Sequence, residues 1–213
     1  MCAINYRYTR AMDFARPVEA LIPGVQGRVL AVLANTDSEL TMRTVASLSG
    51  VSSNRASAVL NHLVSLGVVQ RREVGTSALV RLVRENEAAR LVLECSGLRS
   101  LVLRRFQSEA RKIKPAPMCL VAFGSFAMGE AREGSDIDVL AVTRGAGENA
   151  QQVESLGHWS EVASSISGNP VNLIRITEVE LPKLIKRGSF WRSLSKGVVL
   201  IVGTPPPQVK VIG

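Results

Sequence analysis

The chain is poor in the residues that build covalent or metal-bound frameworks. Its 213 residues include three cysteines and two histidines. Cys2, Cys95 and Cys119 stand far apart, with only His62 and His158 to join them, so no zinc-type spacing or disulfide framework results. Cys95 and Cys119 fall in apolar runs and read as core residues. Long apolar runs are also missing. None approaches the roughly 18 residues of a membrane span, and Met1-Cys2-Ala3-Ile4-Asn5-Tyr6-Arg7 lacks the apolar core of a signal peptide. A soluble, cytoplasmic chain without a membrane partner is expected. Acids are in deficit, 18 Asp plus Glu against 26 Lys plus Arg, which leaves a formal net charge of +8. Such a balance bears on association rather than fold and favours a polyanionic partner, nucleic acid first. Lysine is absent from the first hundred residues, where every basic side chain is arginine.

Within this N-terminal part, Val25, Val29, Leu30 and Leu33 form one stripe of an amphipathic helix over 25–34, stopped by Asn35-Thr36-Asp37. A second short helix over 43–48 leads into Ser49-Gly50-Val51, a tight glycine turn. Ser52 or Ser53 can cap a third helix over 54–66, which buries Ala56, Val59, Leu60, Leu63 and Leu66 at three- and four-residue steps and ends at Gly67. The β-rich runs 68–74 and 78–83 flank Gly75-Thr76-Ser77 and read as a hairpin. His62, beside the apolar stripe, reads as a packed or helix-end histidine rather than a ligand.

The order helix, helix, turn, helix, hairpin over residues 16–85 resembles the winged helix-turn-helix domains of small bacterial transcription regulators, and Thr44-Val45-Ala46-Ser47-Leu48-Ser49-Gly50-Val51-Ser52 carries most of that resemblance. In such domains the third helix enters the major groove and the wing touches phosphate. The resemblance therefore places Ser53, Asn54, Arg55, Ser57 and Asn61 against double-stranded DNA. Arg55 suits guanine, and Asn54 or Asn61 suits adenine, while Arg71, Arg72 and Arg81 are candidate phosphate contacts. The other reading of this pattern is a winged helix used for dimerisation or protein contacts, with its arginines as a solvated face.

Further along, Leu120-Val121-Ala122-Phe123 reads as a short buried strand, and Gly124-Ser125 turns the chain into a brief helix whose first N–H groups can face an anion. Asp136 and Asp138 lie two apart at a second apolar strand, 137–142, so a two-residue period points both carboxylates to one face. Magnesium takes one or two such carboxylates together with substrate phosphates. Alternatively, Gly124-Ser125 is an ordinary strand-to-helix turn and the acids are solvated loop ends. The cost of leaving unpaired carboxylates on a mostly apolar strand favours a nucleotide site.

Between these parts, residues 85–111 read as helical, broken near Ser96-Gly97. Leu91, Val92, Leu98, Leu101, Val102 and Phe106 make an apolar face that can also serve as a homodimer seam. Arg99, Arg104, Arg105 and Arg111 read as a solvated face. The expected organisation is a winged helix over 16–85, a helical linker over 86–97, a second domain over 98–205 and a loose tail over 206–213, an α+β chain.

From Leu98 onward the chain resembles the minimal nucleotidyltransferases of the DNA polymerase beta-type superfamily, whose motif is Gly-Ser, a spacer and Asp-x-Asp. Gly124-Ser125 and Asp136-x-Asp138 match it. The resemblance implies a mixed-sheet nucleotidyltransferase domain, phosphates held by Gly124 and Ser125, and Mg²⁺ held by Asp136 and Asp138, which would also be the catalytic pair. It further implies transfer of a nucleoside monophosphate from a nucleoside triphosphate to an acceptor. A third acid belongs on the strand 171–176, and the position most like it holds Asn172, which carries no charge and takes no proton at neutral pH. Glu178 and Glu180 lie just beyond, in a Thr177-Glu178-Val179-Glu180 pattern that reads as a capping box. Lys183, Lys186 and Arg187 would meet a triphosphate or form a solvated helix face, and Phe190 and Trp191 read as core anchors. The expected function is a DNA-binding transcription regulator whose nucleotidyltransferase-like domain binds Mg-nucleoside triphosphate. The alternative is an active nucleotidyltransferase acting on a protein or other acceptor, including an antitoxin-like role toward a partner toxin.

Overall fold

The computed structural model describes residues 11–145, 147, 149–185, 194, 196–207 and 209–212. Cys2, Lys186, Arg187, Phe190 and Trp191 lie outside the described residues. The chain divides into two compact units, Arg16–Leu98 and Met1–Ala15 with Arg99–Gly213.

The first unit runs α1 (Pro17–Leu21), α2 (Val25–Ala34), β1 (Leu40–Thr41), α3 (Met42–Ser49), α4 (Ser53–Ser65), β2 (Val69–Val74), β3 (Ser77–Leu82) and α5 (Glu87–Ser96). Its three strands form an antiparallel sheet in the order β1-β3-β2. The stripe of α2 meets Leu60 and Leu63 of α4 in one core, where Val29, Leu30, Leu33, Val45 and Val80 are also buried; Leu66, expected to be buried with them, is the exposed C-cap of α4. A Cβ on Gly27 would fall 1.7 Å from the Ile22 carbonyl oxygen, so only glycine lets α2 start beneath the end of α1. Gly50 takes the left-handed conformation (φ 63°) that ends α3, and Val51 N–H closes the turn onto the Ala46 carbonyl; this is the glycine C-cap between α3 and α4. Helix α4 begins at Ser53 with Ser52 at the cap position, although no side-chain cap bond forms there. His62 is exposed in the last turn of α4, the helix-end alternative of its two readings. Helix α5 falls in the segment expected as a linker, but Ala89 is fully buried in the winged-helix core, with Val92, Leu93 and Cys95 packed against it.

The second unit contains α6 (Leu98–Ala110), β4 (Cys119–Phe123), α7 (Gly124–Met128), β5 (Ile137–Thr143), α8 (Ala150–Ser167), β6 (Val171–Thr177), α9 (Leu181–Ile185) and β7 (Val199–Gly203). The sheet order is β6-β5-β4-β7. Strand β4 is antiparallel to both β5 and β7, whereas β5 and β6 run parallel, joined through α8 as a parallel pair requires. The sheet is therefore mixed. Helices α6 and α8 meet through the Phe106 and Trp159 rings, 5.6 Å apart and near-perpendicular, and Trp159 Nε1 donates to the Phe106 carbonyl. Val102 and Phe106 are buried, so this part of the apolar face of α6 is covered within its own unit and is not free to form a homodimer seam. Cys119, Val121, Phe123, Leu140, Val142 and Ile176 form a buried cluster. Burial pushes the Cys119 thiol up to about 11 and raises Cys95 as well, as expected of core cysteines. The C-terminal segment is tied down rather than loose. Val198 N–H donates to Lys210, Ile212 N–H donates back to Val198, and Val209 is buried. No described helix is long and apolar enough to cross a membrane.

Candidate nucleotide site and nucleic-acid face

Strand β4 delivers the chain to Gly124, whose φ of +69° opens α7 in a conformation that favours glycine. Asp138 lies opposite Phe123 in the β4–β5 ladder and opposite Asn172 in the β5–β6 ladder. A Cβ on Gly124 would stand 3.0 Å from Asp138 Oδ2, so the missing side chain is what lets this carboxylate sit against the turn. Its other oxygen, Oδ1, accepts a 3.0 Å hydrogen bond from Asn172 Nδ2. By the two-residue period, Asp138 shares a face with Leu140 and Val142, and Asn172 shares one with Ile174 and Ile176. All four apolar residues belong to one cluster, so carboxylate and amide sit at the polar end of an otherwise apolar sheet face. Asp138 is half-buried, while Asp136 is exposed just before β5.

The donor set fits magnesium in a restricted sense. Two carboxylates supply hard oxygens, which is as many protein ligands as Mg²⁺ usually takes when phosphates complete its shell. Among the described residues no group of three or more His, Cys, Asp or Glu could hold a metal. Across the β5–β6 ladder, the neutral amide of Asn172 is already bonded to Asp138.

Acids beyond β6 are engaged elsewhere. Thr177 N–H donates to Glu180 Oε2 at 2.8 Å and Glu180 N–H returns to Thr177 Oγ1 at 3.3 Å, the reciprocal bonds of a capping box. Those bonds from the Thr177 backbone and then its hydroxyl, with Lys183 adding, hold the Glu180 carboxyl below its usual value. Glu178 accepts from Gly145 N–H, and Lys183 is exposed. A cavity of about 190 Å³ lined by Thr143, Gln152, Arg175 and Thr177 lies at the other end of β5 and β6, about 17 Å along the strands from Asp138 at a rise of roughly 3.3 Å per residue.

Several residues that hold the elements around the site, without touching it, carry no motif. Asn169 is fully buried. Its side chain accepts from Met12 N–H at 2.9 Å, and its amide donates to the Met12 carbonyl at 3.1 Å and to the Ser135 carbonyl at 2.9 Å. It thereby fixes the loop that ends at Asp136. Arg99, expected on a solvated face, is half-buried, and its Nη1 donates to the carbonyls of Phe126 and Ala127 at 3.2 and 2.8 Å. Arg104, Arg105 and Arg111 are exposed. A buried asparagine between Gly168 and Pro170 reads from sequence only as a turn, and its partners are up to 157 positions away.

In the other unit, Ser53, Asn54, Arg55 and Asn61 are exposed along α4 and Ser57 is half-buried. Arg71, Arg72 and Arg81 are exposed on the wing, each with an internal acceptor. Arg71 bonds Asn61 Oδ1 at 3.1 Å and Glu73 at 2.9 Å, tying wing to helix. Arg72 pairs with Glu39, whose carboxyl it holds below its usual value through that hydrogen bond. Arg81 Nε donates to Gln70 at 3.0 Å. Exposed pairs of this kind are worth little, so a phosphate can replace the internal acceptor at small cost.

Residues 22–78 match the model of the MarR family, and residues 103–193 match that of the nucleotidyltransferase domain. No curated protein matches the chain. Among solved structures, a toxin–antitoxin complex with AMP-PNP is 17% identical, with 48% of this chain and 73% of that one covered and a TM-score of 0.34. A tri-AMPylated Shewanella oneidensis HEPN toxin in complex with its MNT antitoxin is 16% identical, with 50% and 73% covered and a TM-score of 0.32. TrmBL2, an archaeal chromatin protein, is 17% identical, with 84% and 73% covered and a TM-score of 0.29.

Proposed function

We propose that this chain, which joins a MarR-type winged helix to a nucleotidyltransferase domain, is a DNA-binding transcription regulator that uses the second domain to bind Mg-nucleoside triphosphate as an effector. The observation that carries the effector role is the Asn172–Asp138 hydrogen bond. In the family this chain resembles, a third acid on that strand helps to hold metal and activate the acceptor. An amide in its place neither carries charge nor accepts a proton at neutral pH.

In this reading Gly124 and Ser125 hold the phosphates, and Asp136 and Asp138 hold magnesium. Bound magnesium would neutralise phosphate charge. With two carboxylates and no third acid, the ion binds together with the triphosphate, whose oxygens complete its shell. Asp138 is oriented for that task by the Asn172 amide on one side and the bare Gly124 turn on the other. On the DNA side, α4 enters the major groove with Ser53, Asn54, Arg55, Ser57 and Asn61, while Arg71, Arg72 and Arg81 meet phosphates. A homodimer would present two such helices to two half-sites, and the exposed Leu21 and Leu91 are candidates for its contact. A cytoplasmic location follows from this role.

Incubation of the pure protein with each labelled nucleoside triphosphate and Mg²⁺, beside the Asp136→Asn/Asp138→Asn protein, separates binding from transfer. We expect binding that is lost in the double variant, without transferred label. Label transfer that disappears in the variant would establish the active transferase instead, and unchanged affinity in the variant would refute the site. A gel-shift survey of DNA upstream of its own coding region should give a specific, salt-sensitive complex.

A further inference from the structure

The chain passes between its two units at residues 15–16 and 98–99, and residues beside both crossings grip the same short helix. Before the first crossing, the Phe14 ring packs edge-on to Phe126, with centroids 5.0 Å apart, and Ala15 N–H donates to the Ala131 carbonyl at 2.9 Å. Two residues earlier, Met12 exchanges hydrogen bonds with Asn169, which also holds Ser135, the neighbour of Asp136. After the second crossing, Arg99 donates to the carbonyls of Phe126 and Ala127. Phe126 is fully buried and also lies against Phe106. It sits two residues after Gly124 in a helix of five residues.

One end of α7 therefore carries the proposed phosphate turn, and its body and other end are held by the residues from which the chain leaves for the winged helix. A close-packed ring such as Phe126 does not shift without its neighbours, so any change in α7 on ligand binding reaches Phe14 and Arg99. We propose that α7 couples the two functions, with nucleotide at Gly124-Ser125 altering DNA affinity through Phe14 and Arg99. This rests on the nucleotide-site reading above. Coupling between two binding sites is reciprocal and commonly amounts to about 5- to 150-fold in affinity.

The test uses the full chain. Hydrogen exchange with and without MgATP should slow by about fivefold or more, within the range of local opening, over 124–129 and also over 12–16 and 97–101. In parallel, the Kd for duplex DNA carrying the upstream sequence should change by at least about fivefold on adding MgATP. Arg99→Ala should keep MgATP protection over 124–129 but lose it over 97–101, along with the DNA response; Arg99→Lys, which retains a donor, should restore part of both. Phe14→Leu provides a second break at the other crossing. Protection confined to the site, or an Arg99→Ala protein whose DNA response matches wild type, overturns the coupling while leaving the nucleotide site standing. No protection anywhere removes the nucleotide-site reading and the coupling with it.

Discussion

Asn172→Asp tests the proposed site, because it places a third carboxylate beside Asp138 without changing shape. The Asn172 amide now donates to Asp138 over 3.0 Å; the substitution replaces that donor with a carboxylate oxygen. Two unit charges about 3 Å apart repel by roughly 1.4 kcal/mol in bulk water and roughly 5.5 kcal/mol at an effective dielectric constant near 20. Asn172 is exposed and Asp138 half-buried, so the repulsion belongs nearer the aqueous limit, about 2 kcal/mol once solvent screening is allowed for. Loss of the hydrogen bond adds about 1 kcal/mol. In EDTA the nucleotidyltransferase unit should therefore lose about 3 kcal/mol, which at roughly 4 °C per kcal/mol for a domain of about 130 residues is a fall of about 12 °C in its unfolding transition. Bound magnesium would offset the loss, because three carboxylates bind the ion better than two, so millimolar Mg²⁺ should return most of the lost stability to the variant while moving wild type little. Thermal unfolding by circular dichroism, with the two transitions followed separately, measures both effects. A variant as stable as wild type in EDTA would refute the Asn172–Asp138 contact. A destabilised variant that Mg²⁺ does not rescue would show that this sheet end is not where a metal binds.

Other consequences are more local. Gly124→Ala puts a Cβ 3.0 Å from Asp138 Oδ2 at a φ of +69°, so we expect a loss of about 1–2 kcal/mol in chemical denaturation together with weaker MgATP binding; an unchanged transition would refute the packing of carboxylate on turn. Arg55→Ala should cost about 1–3 kcal/mol at one base pair and relax specificity there, whereas Arg71→Ala should weaken all sequences alike and reduce the salt slope by about 1, both read by fluorescence anisotropy titrations. Cys119, with its thiol pushed up to about 11 by burial, should resist iodoacetamide at pH 8 in the native protein and react on unfolding, as peptide mapping would show. Glu180, whose carboxyl is held below 4.5 by the Thr177 bonds, stabilises the fold above its unfolded value, and that contribution is lost as pH falls through its lower folded value. Thr177→Ala should flatten this part of the stability profile below about pH 5.

Much of the chain is legible because the relevant physics is local. Hydrophobic period and turn glycines place α2 at the bounds observed, Val25–Ala34, and Thr177 and Glu180 announce their capping box within four residues. The strand–turn–helix at Gly124-Ser125 and the apolar strand that carries Asp138 are legible for the same reason. Partners brought together by tertiary folding are not. Periodicity shows that α6 has an apolar face but not that Trp159 of α8 and Phe126 of α7 lie against it, so a seam for a second copy is expected where the unit's own core lies. Of the two readings of His62, the helix-end one holds: a position next to the stripe is not on it, and the residue lies exposed in the last turn of α4. Asn169 and Arg99 give no sign at all, since a turn asparagine and a helix arginine become clamps only through carbonyls far away in sequence.

The least legible feature alters how the architecture is understood. Along the sequence, the winged helix precedes the nucleotidyltransferase domain like the first of two tandem modules, and the nucleotidyltransferase match begins only at residue 103. The contacts argue otherwise. Residues 12–15 belong to the second unit, where Met12 satisfies the buried Asn169, Phe14 fills the space beside Phe126, and Ala15 pairs with Ala131. Removing them would strand the buried Asn169 oxygen without its donor and open a cavity beneath α7, each a recognised source of losses of order 1–3 kcal/mol or more. In folding terms the winged helix is thus an insertion into the nucleotidyltransferase unit between residues 15 and 99. An inserted domain is attached at both ends to the body that hosts it, whereas a tandem domain is attached at one. That double attachment is the physical reason for the proposal that a nucleotide at Gly124 would be felt by α4.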